Sequence, residues 1–112
     1  MIDVVELTAK LIQCPTVTPR EAGALKLIGK LFENTDFKIH SIDRGGISNL
    51  FLRWGEKNLP TLGFSGHIDV VPPGNLAKWE YEPFSGKIVG YGKKVKDFNL
   101  GQRVSVFPLI PM

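Results

Sequence analysis

A histidine and an aspartate stand two residues apart in Ser65-Gly66-His67-Ile68-Asp69-Val70-Val71-Pro72-Pro73-Gly74, directly after the apolar run Thr61-Leu62-Gly63-Phe64. A neutral imidazole is a good zinc ligand, and its other ring N–H needs an acceptor that fixes tautomer and orientation. A carboxylate close in sequence helps to build that environment. Residues at the end of a buried strand are held by the sheet yet face outward, which is where α/β folds place their chemistry. On spacing alone, His67 reads first as a structural histidine and Asp69 as a turn or cap residue.

The elements that must position this pair are readable from periodicity. Asp3-Val4-Val5-Glu6 has the form of a helix start, and Val4, Val5, Leu7, Leu11 and Ile12 recur at helical spacing to about residue 13. Cys14-Pro15 ends that helix, because the residue before proline avoids the helical region. Thr18-Pro19-Arg20-Glu21 reads as a capping box with proline at the first helical position, opening a second helix to about residue 34. Its apolar stripe is Leu25, Ile28, Leu31 and Phe32.

Residues 37–42 alternate as a half-buried strand, 43–46 form a turn cluster, and 49–54 read as the next strand. Residues 62–66 are predicted to be a central, buried strand, with Leu62 and Phe64 inside and His67 at its C-terminal end. The fold class is therefore α/β: two helices, then a small mixed sheet. His40 reads as a solvent-facing strand residue, and Trp54 and Trp79 as core aromatics.

A chain of 112 residues supports one small domain with a modest core, and 43% hydrophobic with 22% charged residues fits a globular protein. No apolar run approaches the roughly 20 residues that span a bilayer. Asp3 and Glu6 interrupt any signal-peptide order at the N-terminus. The single cysteine, Cys14, excludes an internal disulfide, points to a reducing cytoplasm, and reads as a buried small hydrophobe at a helix end. The net charge of +3 is uneven. Residues 1–84 hold nine Lys/Arg and ten Asp/Glu, a net of −1, and residues 85–112 hold five Lys/Arg and one Asp, a net of +4. A basic patch on an ordinary hairpin accounts for that tail, so a nucleic-acid partner is not expected.

The stretch from Gly66 to Gly74, followed by Trp79, Pro83 and Phe84, resembles the dinuclear zinc amidohydrolases, a family that includes aminoacylases and glutamate-type carboxypeptidases. Within it, the succinyl-diaminopimelate desuccinylase branch is the one resembled. The opening residues 4–19 and Ser48-Asn49-Leu50-Phe51 carry the same likeness, which covers residues 1 to about 84. The resemblance implies the N-terminal part of a zinc-peptidase-like catalytic domain acting on a small-molecule amide, N-succinyl-LL-2,6-diaminopimelate, in lysine and diaminopimelate biosynthesis. It implies zinc as cofactor, His67 as a zinc ligand, and Asp69 as the carboxylate that orients the site and tunes the general base. It also implies a homodimer in the full-length family. The family's later Asp-Met-Lys segment, its Glu-Glu pair, its remaining acidic ligand and its distal histidine have no counterparts here, so an N-terminal fragment without activity of its own is expected.

Residues 85–112 are similar to something else. Gly86-Lys87-Ile88-Val89-Gly90 and, further on, Gly101-Gln102-Arg103-Val104-Ser105-Val106-Phe107-Pro108 resemble the GroES-like domain of medium-chain zinc alcohol and polyol dehydrogenases. Gln102 departs from that pattern's aspartate, and Tyr81, Glu82 and Pro83 stand where its Gly-His-Glu would be, so no dehydrogenase activity carries over. Two segments are expected, 1–84 and a β-rich tail 85–112, joined within about residues 82–90. Residues 86–92 and 103–107 are predicted to be antiparallel strands closing the fold as a hairpin.

Overall fold

Asp3 starts the first helix. In the computed structural model, which describes residues 2–87, its carboxylate accepts the backbone N–H groups of Val5 at 2.8 Å and Glu6 at 3.1 Å. Two donors that the first turn cannot pair internally are thereby satisfied. The helix that follows, α1, spans Val4–Ile12. Glu6 complements the positive end of its dipole and meets Lys10 one turn on at 2.6 Å, an exposed pair that adds only a few tenths of a kcal/mol. Cys14 lies just past the C-cap, half-buried rather than buried, with Sγ 3.5 Å from the Lys10 carbonyl.

The described residues divide into two compact units, 2–14 with 73–87, and Pro15–Pro72. In the first, Ala9 is the buried apolar residue of α1. Gly86 has φ +64° and lies so close to α1 that a Cβ there would sit 2.9 Å from the Ala9 carbonyl oxygen. The Gln13 side chain donates to the Ser85 carbonyl at 3.3 Å. A single 3-10 turn, Leu76–Lys78, is capped by Asn75, whose side chain accepts the Ala77 N–H at 3.0 Å. The strands expected over 86–92 and 103–107 lie outside the described residues.

The second unit contains α2 (Ala24–Phe32) and the strands β1 (Lys38–Arg44) and β2 (Ile47–Arg53). The strands pair antiparallel, from Lys38 opposite Arg53 to Arg44 opposite Ile47. That register leaves a two-residue turn, Gly45-Gly46, with φ +60° and +78°. Two successive positive φ values match the right-handed twist of a hairpin and are available cheaply only to glycine. On β2 the row Ser48, Leu50, Leu52 is half-buried and the row Ile47, Asn49, Phe51 exposed, and α2 packs on this strand. Phe32 and Phe37 meet edge to face, centroids 4.9 Å apart, where the chain leaves α2 for β1.

The α/β class holds, with two helices and a two-stranded antiparallel sheet among the described residues. Several finer expectations do not. The helix expected from Pro19 begins at Ala24, because Ala22 (φ 47°) and Gly23 (φ 86°) are left-handed and break any earlier turn. All seven residues of β1 are exposed rather than half-buried. Among the described residues, 62–66 run outside any strand ladder, with Leu62 82% and Phe64 93% exposed, so they are not a central buried strand, and the sheet described is antiparallel rather than mixed. Trp54 and Trp79 are exposed rather than core, Trp79 donating its indole N–H to the Pro73 carbonyl at 2.9 Å. The reason is shared. A strand exists through its hydrogen-bonded neighbours, and a core aromatic through the layer that covers it; among the described residues neither is present at these positions. His40 is exposed on β1, as expected.

Candidate functional site

The site lies entirely within the Pro15–Pro72 unit. In place of a sheet, a short parallel contact holds the segment that carries His67. The Val70 N–H donates to the Thr16 carbonyl at 3.0 Å and the Thr18 N–H to the Val70 carbonyl at 3.2 Å, which sets Val17 beside Val70. Thr16 lies beneath, 3% exposed, its hydroxyl donating to the Ile68 carbonyl at 2.6 Å. A buried hydroxyl without a partner would be costly, so this bond fixes both chains at once.

Above that clamp the two expected residues meet. His67 Nδ1 is 3.0 Å from Asp69 Oδ1 and 3.0 Å from the Asp69 carbonyl oxygen. Both partners are acceptors, so Nδ1 carries the proton and donates. Neither contact uses Nε2, which keeps its lone pair. The other carboxylate oxygen, Oδ2, accepts the Thr18 hydroxyl at 2.7 Å. The Thr18 hydroxyl, and after it His67, hold the Asp69 carboxyl below the usual carboxylate range by bonding to its charged form. Both members of the His67–Asp69 pair are well exposed, so water screens their attraction and the hydrogen-bond geometry is what matters.

A cavity of about 230 Å³ adjoins the pair, with Arg20, Asn49, His67 and Asp69 among its polar lining and Leu25 and Ile28 among its apolar lining. Thr16 and Thr18 are the site residues that the sequence reading missed as such. The only signal was local: two hydroxyls at alternate positions in Thr16-Val17-Thr18, with Thr18 read as a helix cap. In the structure the cap role passes to Glu21, whose carboxylate accepts the Leu25 N–H at 3.1 Å.

A metal ligand held by a carboxylate through its second nitrogen is a familiar arrangement, and His67 with Asp69 fits one ligand position of that kind. A catalytic zinc site takes three protein ligands and an open position. Among the described residues no three His, Cys, Asp or Glu side chains gather as a metal site.

The site is thus an exposed histidine oriented by a carboxylate within an α/β unit. The chain is 51% identical over 84 residues to the succinyl-diaminopimelate desuccinylase of Paracoccus denitrificans, a match covering 75% of this chain and 22% of that protein. It is 47% identical over 103 residues to desuccinylase 1 of a Ruegeria species, covering 88% of this chain and 27% of that protein. It is 48% identical over 101 residues to the Dinoroseobacter shibae desuccinylase, covering 87% and 27%. The likeness to the desuccinylases read from residues 1–84 is therefore real homology, and the chain spans about a quarter of the length of the curated relatives it matches. No family model matches the chain. Among the described residues no helix is long and apolar enough to cross a membrane.

Proposed function

We propose that this chain is a piece of a zinc-dependent amidohydrolase of the succinyl-diaminopimelate desuccinylase kind, working in the cytoplasm on N-succinyl-LL-2,6-diaminopimelate. In this reading His67 contributes one zinc-ligating nitrogen, Nε2, and Asp69 orients it. The observation that carries the reading is the Nδ1–Asp69 bonding, which leaves Nε2 ready for a metal, in a chain about half identical to desuccinylases. The remaining ligands and the general base have no counterpart among the described residues, so hydrolysis requires further protein. The tail from about residue 85 is assigned no dehydrogenase activity.

The test is direct. The purified chain, supplied with zinc, is expected not to release succinate from the substrate above background. Losing a general base alone costs about two to four orders of magnitude in rate, before any loss of metal geometry. Zinc bound at this site is expected to be weak and abolished by His67→Ala. Zinc-dependent turnover by the chain alone, lost in His67→Ala, would overturn the claim that the fragment is incomplete. Zinc binding that His67→Ala leaves unchanged would overturn the ligand assignment.

A further inference from the structure

We infer that Thr18 is a positioning residue: its hydroxyl locks the Asp69 carboxylate in the rotamer that holds His67 as the Nδ1–H tautomer. The role of that tautomer in metal binding rests on the function proposed above, whereas the hydrogen-bond relay stands by itself.

Asp69 is exposed, and the terminal torsion of an aspartate is broad, so its carboxylate needs a second anchor to hold one oxygen toward His67. Thr18 is placed to be that anchor. Its Oγ lies 2.7 Å from Asp69 Oδ2, while Oδ1 of the same group lies 3.0 Å from His67 Nδ1. Oγ also lies 3.4 Å from the Val70 carbonyl. One hydroxyl proton cannot serve both well, and the shorter bond to an ionised acceptor is the stronger by roughly twofold.

Thr18 is itself held. Its N–H donates to Val70, the Val70 N–H returns to Thr16, and the buried Thr16 hydroxyl grips Ile68 on the other side of Asp69. A β-branched side chain adds restricted χ1. The chemistry suits a ligand support. A hydroxyl orients the carboxylate without neutralising it, so Asp69 remains an anionic acceptor for the imidazole N–H and Nε2 keeps its lone pair.

The tautomer can be read on the whole chain without metal, from the long-range proton–nitrogen correlations of the His67 ring at a pH about two units above the ordinary imidazole pKa. The unmodified chain is expected to show Nδ1–H in excess. Thr18→Val removes the donor at nearly constant volume, and the Nδ1–H to Nε2–H ratio is expected to fall by up to about fivefold, the equivalent of one net hydrogen bond, since the Asp69 carbonyl at 3.0 Å still accepts from Nδ1. Thr18→Ser restores the donor and is expected to restore the ratio. Should Thr18→Val not fold, Thr18→Cys is compared with Thr18→Ser, since a thiol is a weak donor of similar size. A ratio unchanged on removing the donor, or a Thr18→Ser chain that behaves as Thr18→Val does while both are folded, overturns the inference. Either result would leave the zinc reading of His67 standing, because that is judged by metal binding.

Discussion

At the scale of single residues, Asp69 carries the most chemistry. One carboxylate oxygen faces a threonine hydroxyl and the other a histidine N–H, and both bonds favour the charged form. Its pKa in the folded chain is therefore lowered, chiefly by Thr18 and then by His67. The sign of the consequence follows from proton counts. Where the unfolded chain binds a proton more readily than the folded one, stability falls as pH falls. The Asp69 contribution is expected to be complete above the ordinary carboxylate pKa of about 4 and to be lost as pH drops through the lowered value. Denaturant titrations of the chain and of Asp69→Asn across the acid range check this. Their difference in unfolding free energy should shrink as the pH falls below the ordinary carboxylate pKa. A difference that does not shrink anywhere in the acid range would mean that the two bonds do not form as described.

Elements here owe their ends to particular side chains more than to their interiors. Asp3 caps the start of α1 with two side-chain bonds, both to backbone donors. Asp3→Ala is expected to cost about 1 kcal/mol and to lower helix content, while Asp3→Asn or Asp3→Ser should retain most of the stability. Far-ultraviolet circular dichroism with a denaturant midpoint measures both. The start of α2 shows the opposite case. The sequence pattern for a cap was present at Thr18, but the hydroxyl serves a carboxylate 51 residues away and Glu21 takes the helix donor.

For the molecule as a whole, the notable quantity is the apolar surface left uncovered. Leu62, Phe64 and Val71 are each more than four-fifths exposed, and Phe51 and Trp54 are open as well. Large exposed apolar residues grouped along one stretch of chain promote association. Phe64, at 93% exposure, contributes almost nothing to the fold of this chain. Phe64→Lys is expected to change the unfolding free energy by less than about 0.5 kcal/mol, the usual range for surface substitutions, while reducing self-association. Sedimentation at several concentrations, beside denaturant titration, distinguishes the two effects. A large loss of stability would show that Phe64 is buried in solution.

What the residues determine by themselves is what short-range physics decides. Asp3 caps the turn next to it, Gly45 and Gly46 supply the two positive φ values of their own hairpin, and His67 meets Asp69 because two residues of chain keep them within reach. These features were legible because each partner lies close in sequence, and the homology to desuccinylases was carried by the same contiguous run. What tertiary structure decided is everything that needs a distant partner. An apolar run marked residues 62–66 as able to form a strand, but pairing depends on which backbone lies alongside, and the bridge seen among the described residues falls further on, between Val17 and Val70. Thr18 looked like a helix cap until the fold set it against Asp69. A hydroxyl bonds the strongest acceptor within reach, and only the folded chain determines which acceptor that is.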